Sequence, residues 1–162
     1  MPTQTYGAYT ALTVTNLQSL ANSSTVGWQS DVIDNRTTGA IDYEILFYLP
    51  MANTAPANDR SWYFYAVPAV HNGTAFVYSD GGTTTLPSGT QGAYTIAGTS
   101  STNNLILLRR FFYTTQNQIV SGWASLSSAV GQTMPDGFSI VGVNFTGAAA
   151  ITGCVVAYRA IT

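Results

Sequence analysis

Apolar and polar residues alternate with a period of two along most of this chain, the pattern of half-buried β-strands. The clearest instance is Ala40–Leu49, AIDYEILFYL. Ile41, Tyr43, Ile45, Phe47 and Leu49 fall on one face, and Asp42, Glu44, Leu46 and Tyr48 on the other. Further strands are predicted at Ala11–Leu17, Val26–Ile33, Ser61–Val67, Thr74–Ser79, Ala93–Ala97, Leu105–Tyr113, Phe138–Phe145 and Gly153–Ile161, with Ile119–Trp123 extending the sheet. Turn chemistry separates them at Asp34–Gly39 (DNRTTG), Pro50–Asp59 (PMANTAPAND), Asp80-Gly81-Gly82 and Gly98–Asn104. Gln18–Ser24 reads as a loop or one helical turn, and Ser125–Val130 as a single short helix. Roughly eight or nine strands with no long helix predict an all-β fold, an antiparallel β-sandwich of jelly-roll-like character. An α/β fold would need helical patterns between the strands. One domain is expected over 11–162, preceded by a polar, unpatterned N-terminal arm at 1–10.

Composition narrows the choice of partner. The 162 residues can bury a substantial core without metal or disulfide staples. Only 7 % are charged, against about 25 % in an average domain, and there is no lysine. Such a surface is hydrated by hydroxyls and amides, which suits a protein that works packed against others. A net charge of −2 without lysine argues against nucleic acid. No apolar run approaches the roughly 18 residues of a membrane span, and MPTQTYGAYTALTVTNL lacks the basic and apolar regions of a secretory signal. No membrane partner is therefore expected. The Asn-X-Ser/Thr triplets at Asn22, Asn35, Asn72 and Asn144 are read as chance in a chain rich in these residues. Cys154 is alone, so no intrachain disulfide forms, and its apolar setting reads as a buried hydrophobe.

The acids offer the first candidate chemistry. Asp42 and Glu44 share a strand face about 7 Å apart, a separation a glycosidase pair could use, with Tyr48 beside them. Any such pair in any strand has this spacing, and the alternative is a charged face that deters misplaced edge pairing. His71 lacks zinc-site spacing, and no metal or cofactor is expected, although Asp34-Asn35 and Asp80-Gly81-Gly82 could lend oxygens to a structural calcium. There is no G-x-S-x-G and no phosphate-binding loop. Alternation puts Arg109 with Leu105, Leu107 and Phe111, and Arg110 with Ile106, Leu108 and Phe112. Each arginine either snorkels at a sheet edge or anchors a protein contact. Trp28, Trp62, Tyr63, Phe64, Tyr65 and Trp123 read mostly as core. Aromatics on both faces of Trp62–Tyr65 predict a strand covered by the second sheet on one side and by a subunit or ligand on the other.

Three segments carry a family resemblance. Ile33-Asp34-Asn35 opens a turn into an alternating strand. Ala55-Pro56-Ala57-Asn58 precedes an aromatic strand. Met134-Pro135 through Asn144-Phe145-Thr146-Gly147 closes the domain. In these the chain resembles small head proteins of tailed bacteriophages, the capsid decoration or cement proteins, over about two-thirds of its length. The Trp62–Tyr65 strand and the N-terminus depart from that pattern. The resemblance implies a β-sandwich without catalysis that binds the outer capsid surface and bridges major capsid protein subunits. It implies manufacture in the host cytoplasm and residence in the virion.

The leading expectation is thus a decoration protein acting as a homotrimer or homodimer. Its arm, with Thr3 and Tyr6, would order on a neighbouring subunit's sheet edge. Candidate contacts are Thr3, Tyr6, Arg36, Asp42, Glu44, Tyr48, Trp62, Arg109 and Arg110. Two alternatives stand beside it. One is a carbohydrate-binding virion module, which requires an aromatic platform flanked by Asp, Asn or Arg. The other is a glycan hydrolase, which requires Asp42 and Glu44 in one cleft.

Overall fold

Four alternate residues, Tyr43, Ile45, Phe47 and Leu49, are almost wholly removed from solvent and commit one face of their strand to the interior. The computed structural model describes residues 3–57, 59–78, 87–96, 105–131 and 133–162. Its strands are β1 (Thr10–Ala11), β2 (Val26–Gln29), β3 (Ile33–Asp34), β4 (Asp42–Pro50), β5 (Ser61–His71), β6 (Phe76–Tyr78), β7 (Gly92–Thr95), β8 (Ile106–Phe112), β9 (Ile119–Ser125), β10 (Gly137–Phe145) and β11 (Val155–Ile161). The helix α1 (Leu126–Val130) follows β9. Ser125 caps it by accepting the Ser128 N–H, and Gly131 ends it in the left-handed region at φ 70°.

The strands form two antiparallel sheets, so the fold is the expected all-β sandwich. One sheet has four strands in the order β1-β11-β4-β9. The other has seven: β6-β5-β10-β2-β7, with β3 also on β10 and β8 also on β5. The layers meet through aromatic rings. Phe47 lies 4.3 Å from Phe64 between ring centroids, Phe111 meets Phe47 edge-on at 5.5 Å, and Trp62 stacks on Phe64 at 5.6 Å. Trp28, Phe138, Ile140 and Val156 complete this core.

The outer face of the seven-stranded sheet differs from expectation. A subunit or ligand was expected over Tyr63 and Tyr65. Instead Val67, Val141, Val143, Tyr94 and Ile96 are buried in a second cluster, with Tyr65 and Phe145 packed against it. The chain therefore covers much of this face itself, which is why FSIVGVNF is buried along nearly its whole length.

The N-terminal arm also corrects the expectation. It lies along β11 of its own chain rather than awaiting a neighbour. Thr5 and Thr162 exchange backbone hydrogen bonds (2.8 and 3.0 Å), Gly7 N–H donates to Ala160 O (2.9 Å), and Leu12 N–H donates to Val156 O (2.8 Å). The predicted strand Ala11–Leu17 is reduced to Thr10–Ala11, because a turn then sends Leu17 into the core. Val26–Ile33 is broken at Ser30, whose Oγ takes the Ile140 N–H (2.9 Å) in place of a backbone carbonyl. The turns predicted at Asp80-Gly81-Gly82 and Gly98–Asn104 lie outside the described residues.

Candidate interaction surface

With the inner face of β4 fully used, its other face is where chemistry can be presented. Register fixes the neighbours. Tyr48 lies between Val155 and Ser121, Leu46 between Ala157 and Trp123, and Glu44 between Arg159 and Ser125; Pro50 pairs with Ile119. The outer face of the four-stranded sheet thus carries an apolar patch of Leu46, Tyr48, Ile119, Trp123 and Val155. Trp123 is its most exposed member at 59 %, and Tyr48 is 39 % exposed. No described residue covers it.

The charged end of this face is tied up internally. Arg159 pairs with Glu44 at 3.0 Å, and its guanidinium sits 4.8 Å from both the Tyr6 and the Tyr9 ring centroids. The Tyr9 hydroxyl donates to Glu44. That hydrogen bond, then Arg159, holds the Glu44 carboxyl below its ordinary value. Asp42 accepts the Ser125 hydroxyl (2.7 Å) and the Ser127 N–H (2.8 Å), steadying the first turn of α1. The two carboxylates therefore stand on an open sheet face, each with its own partners. They share no cleft, and the glycosidase reading of this pair is dropped. A general acid would also need a raised pKa, whereas that of Glu44 is lowered.

The Glu44 clasp makes the arm pH-sensitive. A carboxyl depressed in the folded state stabilises fully above its ordinary value of 4.5, and that contribution drains away as pH falls through the lowered value. Amide protection factors at Thr5 and Gly7 should therefore be high at pH 6 and fall at pH 3. In Glu44→Gln they should already be low at pH 6. Hydrogen exchange followed by NMR measures this.

The other candidate residues are dispersed. Trp62 is fully buried, and its indole N–H points at Met51 Sδ (3.2 Å); it is core, not a contact residue. Arg36 clasps Asp34 (2.6 Å) in the turn that carries the chain from β3 in one sheet to β4 in the other, which are not paired as a hairpin, and lies over Phe76 (4.9 Å). The pair holds the Asp34 carboxyl down at about 2. Behind it Asn35 is buried: its Oδ1 accepts the Ala40 N–H and the Tyr43 hydroxyl. Arg110 pairs with Asp59 (2.8 Å), bonds Ser61 Oγ and lies over Tyr63 and Phe112 on the other sheet. Arg109 is exposed at the sandwich edge. Thr3 and Tyr6 are exposed on the arm. Cys154 is buried, and desolvation lifts its thiol to about 11. Among the described residues no cluster of three metal-ligating side chains occurs, and Asp80 lies outside them.

Sequence reasoning missed Trp123, reading it as core. The signal was present in β9, where Val120, Gly122 and Ala124 alternate with Ile119, Ser121 and Trp123. The smaller residues face inward because the Phe111 ring already fills the space over Gly122, where an added Cβ would meet it at 2.7 Å. No family model, curated protein or solved structure matches the chain.

Proposed function

We propose that this chain is a structural virion protein of the decoration type. It binds the outer surface of a phage icosahedral capsid through the outer face of its four-stranded sheet, bridging major capsid protein subunits as a homotrimer or homodimer. The observation that carries the reading is the open patch of Leu46, Tyr48, Ile119, Trp123 and Val155 on the outer face of the four-stranded sheet. The outer face of the other sheet is covered over Val67, Val141 and Val143, with Leu107 and Phe112 of β8 exposed at its edge, and beside the patch Glu44 and Arg159 neutralise each other. Aromatic and aliphatic side chains on a rigid sheet are the composition of an interface centre. Many copies on one shell turn modest single contacts into lasting attachment. The likeness of the turn segments to decoration proteins supplies the partner.

Purified shells from a phage encoding this chain, stripped of it and mixed with recombinant protein, test the reading. Tyr48→Asp and Val155→Asp each place a charge in the patch without touching the core. Each should weaken co-sedimentation by about 30-fold or more. Undiminished binding by both would refute this face as the contact. A second reading, carbohydrate binding, is favoured by a cleft next to Trp123.

A further inference from the structure

The strands β8 and β9 are each paired on one side only, β8 with β5 in the seven-stranded sheet and β9 with β4 in the four-stranded one. Between them runs an open cleft of about 320 Å³, lined by Leu107, Leu108 and Arg109 of β8, Trp123 and Ser125 of β9, and Ser128 of α1.

The backbone aims Arg109 into this seam. Phe64 pairs with Arg109 but Tyr65 pairs with Leu107, so Leu108 is an extra residue, a β-bulge. Regular alternation would set Arg109 on the same side as Leu107. The bulge breaks that, putting Arg109 with the inward-facing Phe64 and Phe111 at the open rim, while Leu107 stays with Tyr65. Bulges at sheet edges are a recurrent means of re-aiming a side chain toward a site.

Charge and shape then specify a ligand. Arg36, Arg110 and Arg159 each have a carboxylate within 3.0 Å. Among the described residues none lies within 4.0 Å of Arg109. Asp42, which borders the cleft through Ser125, is already committed to the Ser125 hydroxyl and the Ser127 N–H. Arg109 thus offers a guanidinium fork for bidentate binding of a carboxylate. Trp123, 59 % exposed, offers an indole face suited to stacking on an apolar ring face, and the Ser128 hydroxyl offers a hydrogen bond, the Ser125 hydroxyl being held by Asp42 and the Ser128 N–H. The volume falls at the small-ligand end of binding sites. We propose that this cleft binds an acidic saccharide, a pyranose ring carrying a carboxylate. An acidic peptide could engage the same arginine. The indole face, the Ser128 hydroxyl and the end closed by α1 fit a sugar ring better than an extended backbone. This site rests on the second reading, carbohydrate binding, and not on the capsid-binding one.

The test titrates the full chain with oligogalacturonate and 3′-sialyllactose, and with methyl-esterified oligogalacturonate and lactose as neutral counterparts. Calorimetry and tryptophan emission report binding. Trp28 and Trp62 are fully buried, so an emission change reads Trp123 and should vanish in Trp123→Phe. At least one acidic saccharide should bind about tenfold or more tightly than its neutral counterpart. Arg109→Gln should lose about tenfold or more of that affinity. Arg110→Gln, whose native pair is with Asp59, should keep it. Three outcomes overturn the proposal: no binding of either acid at millimolar concentration, binding unchanged in Arg109→Gln, or polyglutamate binding as tightly as the saccharides. Trp123 belongs to both surfaces, so shell and saccharide compete for it; Arg109 lies outside the patch, and Arg109→Gln should still decorate shells, which keeps the two readings distinguishable.

Discussion

Asn144→Ala should cost about 3–5 kcal/mol of folding stability, read as a shift of the urea midpoint. Asn144 is fully buried near the end of β10. Its amide donates to Leu20 O (2.9 Å) and Ala148 O (2.8 Å), and its Oδ1 accepts the Thr146 N–H (3.0 Å) and hydroxyl (2.7 Å). The bond to Leu20 fastens the segment that follows the 15–19 turn to the end of the sheet, and the other three close the 144–148 turn. After truncation Leu20 O keeps the Ala150 N–H, and Ala148 O keeps the Thr146 hydroxyl. The Thr146 N–H keeps nothing that the structure provides. One orphaned buried donor costs about 1–3 kcal/mol and two lost hydrogen bonds about 1 kcal/mol each. Asn144→Asp preserves the acceptor but loses both donations and buries a charge, so it should be no better than alanine. A loss under 1 kcal/mol for Asn144→Ala would mean that water enters the corner and replaces the amide.

That corner bears on what the sequence revealed. The strand faces were legible because β4, β5 and β10 alternate or run apolar over long stretches; even the burial of Phe47, Trp28 and Cys154 follows from pattern. The motif segments Asp34-Asn35 and Asn144 to Gly147 were legible only as turns. Their real content is two buried asparagines, each satisfying four hydrogen bonds, of which one reaches a distant segment: Asn35 to Pro135 O and Asn144 to Leu20 O. Sequence pattern reads local periodicity and does not report which carbonyls converge from elsewhere. The surface was less legible still. Trp123 faces outward because of Phe111, a residue of the other sheet, and Arg109 changes face because of one extra residue in β8. Both depend on pairing register, which alternation leaves open. Likewise the exposed arm found a partner in its own β11, whose edge no local signal distinguishes from a neighbour's.

Phe64→Ala should cost about 3–5 kcal/mol by urea denaturation, the range for a buried phenylalanine that leaves a cavity. Phe64 touches Trp62, Phe47 and Phe111, so its loss removes contacts from both sheets at once. Relaxation cannot readily fill the hole, because the ring also lies over Gly142 on the paired strand: a Cβ built there would meet Phe64 at 2.7 Å. Gly142→Ala alone should therefore overpack the core and cost about 1–3 kcal/mol. The two effects share one space and must not add. In the double variant the alanine methyl at 142 enters the volume that Phe64 vacated, and the sum should fall short by about 1 kcal/mol or more. Strict additivity would mean that Gly142 is required by its backbone and not by the ring above it. A favourable coupling would identify glycine in the middle of FSIVGVNF as the counterpart of an aromatic one strand away. It would also explain why the most deeply buried strand of the molecule contains a residue with no side chain to bury.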